Sequence, residues 1–306
     1  MYVKIGKRKH SLNDIIFHTF NGVIMLFLVV VTLYPFLNTL AVSFNEGMDT
    51  IRGGIYLWPR KFSLQNYRAI FVSGTIFNAF FISVARTVLA AAINIFLTGM
   101  LAYCLSRKEY IFNKFITVVF VLTMYFSAGL IPGYLLIKSL GLYGNFLVYI
   151  IPGMISAFNV IVVRTYIKTI PESLIESAKL DGAGDFLIFL KIIFPLCKSA
   201  LAVIGMFVTI GSWNNWFDTY LYCSSKQELS TLQYELQKLL ASSFQQSQSV
   251  NQFTGSALGA ELANNMVTPI AMQAAITIVA MVPILFVYPF LQRYFVVGLN
   301  VGGVKE

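Results

Sequence analysis

Six long apolar runs constrain this chain more than any other feature. They are Val23–Val42, Phe80–Leu105, Phe115–Ile137, Phe146–Val163, Leu196–Tyr222 and Pro269–Phe290. Each approaches or exceeds the ~20 residues a helix needs to cross a bilayer, allowing for tilt and short ends. Backbone inside hydrocarbon must bond to itself, so runs of this length become helices. Composition agrees, with 57% of the 306 residues hydrophobic and 11% charged, where a soluble domain carries about 25% charged. The first run follows Lys4, Lys7, Arg8 and Lys9 and is too long for the ~7–15-residue core of a secretory signal, so it reads as an uncleaved span. The expected fold is all-α, a polytopic membrane protein with six transmembrane helices and both termini on one side.

Charge orients these spans. With the N-terminus inside, fourteen Lys and Arg, from Lys4 to Lys305, fall in inside segments, seven, from Arg52 to Lys238, fall outside, and Arg86 lies within a span. Basic loops favour the cytoplasmic face. The expected layout is a cytoplasmic segment 1–22, one membrane domain 23–295 and a cytoplasmic tail 296–306 in the cell membrane. The 170–195 loop is then cytoplasmic and the 223–268 loop is outside. The first outer loop, with four basic residues, fits this bias least. The formal charge of +9 is accounted for by membrane orientation, and no nucleic-acid partner is expected.

Several chemistries are disfavoured. Cys104, Cys197 and Cys223 form no C-x-x-C pair, so neither a disulfide framework nor a zinc site is indicated. The only histidines, His10 and His18, are near the N-terminus, which leaves no His-based triad. No G-x-x-x-x-G-K-[ST] motif occurs, so ATP is not bound here by a P-loop. No span has an acidic residue away from its ends, which argues against an autonomous secondary transporter or channel for a small polar solute.

The most polar stretch between apolar runs is 170–195. Thr169 and Glu172 have capping-box spacing, and Pro171 falls in the first turn of a helix. Gly182 supplies a left-handed cap at its end. Asp185 is placed to cap a second helix, and Pro195 stops or kinks it.

Glu176, Ser177 and Ala178, then Asp181-Gly182-Ala183, Ile192 and Pro195 resemble the E-A-A…G…I-x-L-P loop of membrane subunits of binding-protein-dependent ABC importers. Serine stands for the first alanine of that pattern, and Phe194 for its leucine. Further resemblance to the carbohydrate-uptake, maltose-type branch runs from about Phe17 to Gly303. It includes Trp58-Pro59…Phe62-Ser63-Leu64-Gln65-Asn66-Tyr67, Phe126-Ser127-Ala128-Gly129-Leu130-Ile131-Pro132, and the tail Tyr288-Pro289-Phe290-Leu291-Gln292-Arg293-Tyr294-Phe295, the last two being similar to permeases for large oligosaccharides.

The resemblance implies the type I importer permease fold and an oligosaccharide as cargo. It implies that Glu176, Ser177, Ala178, Asp181, Gly182, Ala183 and Pro195 belong to a coupling helix docked on a cytoplasmic ATPase. It further implies a second homologous permease forming a heterodimer, two copies of the ATP-binding subunit, and an extracytoplasmic solute-binding protein. ATP and Mg would act at the ATPase, with no cofactor, metal or catalytic residue on this chain. The 223–268 loop, whose start at Ser230–Leu240 has helical spacing of leucines, corresponds to the loop that meets the binding protein.

Trp213, Asn214 and Trp216 combine flat rings with an amide, the pairing that holds sugars. Trp213 and Asn214 are expected along a substrate path, with Trp216 nearer an interfacial aromatic belt. Arg86 either faces that path or snorkels to the surface.

Overall fold

The computed structural model describes residues 12–72, 74–239, 241 and 268–301. They fall into two compact units, one from Met1–Ala69 and Ser243–Ile278, the other from Ile70–Ser242 and Val279–Glu306. The expected cytoplasmic start, the Gln- and Ser-rich part of the outer loop and the last residues of the tail lie outside the described residues.

In the first unit, α1 (Leu12–Ser43) is one apolar helix of 32 residues with Pro35 inside it. Its side chains are almost all exposed up to Leu37, as suits a lipid-facing helix. The chain then wraps a buried Asn45 before and after the short α2 (Gly47–Ile51). The Asn45 amide donates to Asp49 Oδ2 and Thr50 Oγ1, each at 3.1 Å, and its Oδ1 accepts from the Lys61 amide at 2.9 Å. Asn66, in α3 (Gln65–Val72), donates to the carbonyls of Ser43 at 2.9 Å and Asn45 at 2.8 Å. Phe44 stacks on Phe62. The F-S-L-x-N-Y stretch is thus a buckle that closes the loop after α1.

The second unit is built on α4 (Thr75–Ser106), whose buried face carries Ser83, Arg86, Thr87, Ala90, Asn94 and Thr98 at helical spacing. It packs against α7 (Ala157–Ile167) and α11 (Lys198–Asn214). Small residues allow the α4–α11 approach. A Cβ built on Gly205 falls 2.7 Å from Ile95 Cδ1, and one on Gly99 meets Phe194, Leu201 and Phe189 at 3.5–3.6 Å.

Several expected spans are interrupted. Among the described residues, three helices are long and apolar enough to cross a membrane: Ile16–Ser43, Thr75–Ser106 and Pro269–Phe286. The last lies in α14 (Pro269–Val301). Two bent pairs, Phe146–Gly153 with Ala157–Ile167 (47°) and Asp185–Leu196 with Lys198–Asn214 (80°), raise the count to five. The expected 115–137 span is two shorter helices, α5 (Asn113–Tyr125) and α6 (Leu130–Ser139). The chain turns extended at Phe126, where α5 ends, and Gly129, at φ 86°, is the N-cap of α6. The expected 146–163 span begins as two 3₁₀ turns, Phe146–Tyr149 and Ile151–Gly153. Pro152 follows the first turn and cannot donate its backbone nitrogen. The expected 196–222 span breaks at Asn215–Trp216 before α12 (Phe217–Tyr222).

Two capping expectations are also corrected. Pro171, not Thr169, is the N-cap of α8 (Glu172–Leu180), without a side-chain bond, because Thr169 Oγ1 turns back to the Tyr166 carbonyl at 2.7 Å. Gly184, not Asp185, is the N-cap of α9 (Asp185–Ile188). A π-helical turn, Phe189–Ile193, and the short α10 (Phe194–Leu196) follow, so Pro195 sits in a disrupted stretch before the 80° bend.

The close α4–α11 contact yields a prediction. Gly205→Ala is tolerated because Ile95 Cδ1 is a mobile tip. Gly205→Leu overpacks the contact and costs about 1–3 kcal/mol. The check is thermal unfolding in detergent: Gly205→Leu lowers the midpoint, and adding Ile95→Ala recovers most of the loss. Equal midpoints for Gly205→Leu and the parent would show that the helices are not in close contact.

Candidate functional site

The 170–195 segment forms a stiff elbow. Helix α8 ends just before Gly182, the glycine expected to cap it. The Gly182 amide donates to the Lys179 carbonyl at 3.0 Å and the Ala183 amide to the Ala178 carbonyl at 2.9 Å. These paired bonds with Gly182 at φ 81° form a Schellman cap. Ile175 and Ala178 of α8 are buried with Ile188, Phe189 and Ile193, against Ala102 and Leu105 of α4 and Val163 and Ile167 of α7. Helix ends of the membrane unit and the elbow therefore share one core.

Ion pairs brace the elbow against the loop after α4. Lys108 meets Glu172 at 3.1 Å and Lys179 meets Glu109 at 2.9 Å. The hydrogen bond and charge of Lys179, with Arg107 adding to them, hold the Glu109 carboxyl below its usual range. Arg164 closes the same region, donating to the Leu105 carbonyl at 2.7 Å and Asn113 Oδ1 at 2.8 Å. The opposite face is open. Glu176, Ser177, Asp181 and Gly182 are exposed, and Glu176 and Asp181 make no ion pair among the described residues. Leu180, at 89% exposure, and Phe186, at 62%, also stand in solvent.

The other expected site residues are in the fifth apolar run. Trp213 is buried. Its indole donates to the Ala280 carbonyl at 2.9 Å, and its ring meets Phe80 edge-on. It also lines a cleft of about 470 Å³ with Val84, Val88, Ile95, Ile210 and Pro283. That lining is nearly all apolar, and Thr87 Oγ1, buried beside it, has no hydrogen-bond partner. Asn214 is exposed and accepts from Gln233 Nε2 at 3.3 Å. Trp216 is half-buried at the helix break, against Phe217 and Tyr220. The structure thus brings Trp213 to the apolar cleft and leaves Asn214 and Trp216 at the helix break that follows it.

Arg86 does not snorkel. Its side chain is 3% exposed and pairs with Asp218 at 2.5 Å. Its Nη1 donates to the Asn215 carbonyl at 2.7 Å, and the guanidinium lies 4.6 Å from the Tyr149 ring centre. Asp218 is a partner that the sequence reading missed. The signal was present, because a lone arginine inside a span requires a counter-ion and Asp218 is an acid near the end of another span. Tyr149 and Gln233 had no such signal.

No group of three or more His, Cys, Asp or Glu side chains able to hold a metal occurs among the described residues.

The family model described as "Binding-protein-dependent transport system inner membrane component" matches residues 95–300. The chain is 34% identical to the polygalacturonan/rhamnogalacturonan transport system permease protein YtcP of Bacillus subtilis (strain 168), over 97% of this chain and 99% of that protein. It is 26% identical to the arabinooligosaccharides transport system permease protein AraQ of the same organism, over 97% and 99%. A chain in the crystal structure of a bacterial ABC transporter involved in the import of the acidic polysaccharide alginate matches with a TM-score of 0.82 and 26% identity, covering 94% of this chain and 99% of that chain. The chain, with a family match spanning residues 95–300 and 34% identity to a relative over 97% of its own length, belongs to the family of inner-membrane components of binding-protein-dependent transport systems.

Proposed function

We propose that this chain is the permease subunit for an oligosaccharide, working as a heterodimer with a second homologous permease, two copies of a cytoplasmic ATPase and an extracytoplasmic solute-binding protein. The cargo class rests on the relatives, whose names specify polygalacturonan, rhamnogalacturonan and arabinooligosaccharides. The observation that carries the mechanism is the 172–188 elbow, capped by Gly182, braced by Lys108 and Lys179, and sharing its core with α4, α7 and the segment leading into α11. A body of this stiffness passes displacement from a docked ATPase to the membrane helices rather than absorbing it. Glu176, Ser177, Asp181 and Gly182 form the exposed docking face, Ala178 and Ala183 fasten it to the core, and Pro195 marks its junction with the bend. ATP and Mg act on the partner, and this chain holds no catalytic group.

The proposed topology has six crossings, with α5 and α6 together making the one that no single helix spans. Both termini and the elbow are cytoplasmic, and the 223–268 loop is outside. The membrane domain is 23–295, flanked by segments 1–22 and 296–306. The apolar cleft beside Trp213 suits a helix of the second permease, whereas the break at Asn214–Trp216 offers amide and ring to a sugar. An autonomous secondary transporter is disfavoured, since the carboxylate of Asp218 is already paired with Arg86.

Three outcomes test these assignments. An impermeant thiol reagent applied to intact cells labels Ser247→Cys and spares Ser177→Cys; labelling of Ser177→Cys from outside would invert the topology. Gly182→Val places a branched side chain at φ 81°, costing roughly 1–2 kcal/mol of local strain. The variant reaches the membrane, but the ATPase co-purifies poorly or loses stimulation by loaded binding protein. Full retention of both would remove the elbow from coupling. Asn214→Ala lowers oligosaccharide uptake in assembled complexes, and Trp213→Phe, which keeps a ring but loses the bond to Ala280, lowers it less. If uptake is unchanged in both variants, this stretch is not in the path.

A further inference from the structure

The buried Arg86 cluster does more than neutralise a charge. Four groups converge on the interruption between α11 and α12. Arg86 Nη1 bonds the Asn215 carbonyl at 2.7 Å and Nη2 bonds Asp218 Oδ2 at 2.5 Å. Asn215 Nδ2 donates to the same Asp218 oxygen at 2.8 Å, and the Asp218 amide donates to Asn215 Oδ1 at 3.1 Å. The guanidinium face rests on Tyr149. A single planar fork therefore fixes both the orphaned carbonyl of the break and the acid in the first turn of the next helix.

The same cluster continues outward. Tyr149 Oη reaches the Leu229 carbonyl at 2.7 Å and Thr219 Oγ1 at 3.1 Å. Thr219 and Thr231 hydroxyls meet at 2.9 Å. The Leu232 amide, at the start of the outer helix 232–239 (α13), donates to Ser83 Oγ at 2.9 Å, one turn from Arg86 on α4. Gln233 of α13 closes the circuit on Asn214. Every joint but the last is buried or half-buried.

We propose that Arg86 is a positioning residue: through Asn215, Asp218 and Tyr149 it holds the helix break carrying Asn214 in register with the outer helix 232–239, so that the two move together. The inference rests on the reading of Asn214 as part of the substrate path and adds to it a mechanical link with the outer face. Arg86 itself touches no sugar. It acts on transport through Asn214 and Trp216.

The test is cross-linking in the assembled transporter. Asn214→Cys and Gln233→Cys are introduced with the three native cysteines replaced by alanine, and a short bis-methanethiosulfonate joins them. The parent pair cross-links efficiently. Arg86→Lys keeps the charge but loses the planar fork that sets the angle between the Asn215 and Asp218 bonds, and the neutral pair Arg86→Met with Asp218→Asn removes both buried charges together and leaves the Asn215 carbonyl without its donor. Both reduce cross-linking roughly ten-fold, and without the introduced cysteines both lower maximal uptake while leaving half-saturation by loaded binding protein within about two-fold.

Cross-linking at the parent level in either assembled variant overturns the proposal, as does failure of both to assemble, which would assign Arg86 to folding alone. If cross-linking falls in both variants while Asn214→Ala and Trp213→Phe transport normally, the link stands and the substrate-path reading fails.

Discussion

Inside a bilayer no water completes a broken helix, so each interrupted carbonyl must be answered by a protein group. Helix α4 supplies those answers here. Its Asn94 donates to the Gly153 carbonyl at 2.9 Å, where the 3₁₀ turns give way to α7. Arg86, two turns earlier, answers the Asn215 carbonyl, and Ser83 receives the first amide of α13. These residues lie on one buried face of α4, three and eight residues apart. The neighbouring segments bend because α4 makes bending affordable.

The constraint also decides which interactions are strong. Exposed ion pairs such as Lys108–Glu172 contribute on the order of 0–1 kcal/mol each. Breaking one partner of a buried pair such as Arg86–Asp218 costs roughly 3–5 kcal/mol, because a charge is left uncompensated. The elbow therefore owes its stiffness chiefly to the Gly182 cap and to the core shared by Ile175, Ala178, Ile188 and Phe189. The ion pairs set its orientation and leave the Leu180 and Phe186 face free.

The loop after α1 follows similar logic in the first unit. Asn45 and Asn66 are fully buried amides, and each bonds backbone at the end of α1 or in the loop that follows it. A loop without regular secondary structure can be buried only when side chains take over its hydrogen bonds. Asn66 and Tyr67 were legible as a pattern, but their role as the buckle on Ser43 and Asn45 was not.

The sequence by itself determined that the chain is helical and membrane-embedded, where its polar elbow falls, and that Gly182 ends a helix. Run length, turn chemistry and the spacing of Glu176, Gly182 and Pro195 are local properties that no neighbour has to complete. It did not determine which runs stay straight: 115–137, 146–163 and 196–222 all read as continuous, yet each is interrupted. A helix break in hydrocarbon depends on a bonding partner from elsewhere in the chain, as Arg86 and Asn94 supply across 129 and 59 residues. Only tertiary structure decided that Arg86 is paired inward, that Trp213 is spent on Ala280 and an apolar cleft, and that Thr169 bonds backward instead of capping α8. Each of these is a choice between partners of similar chemistry, and geometry alone makes it.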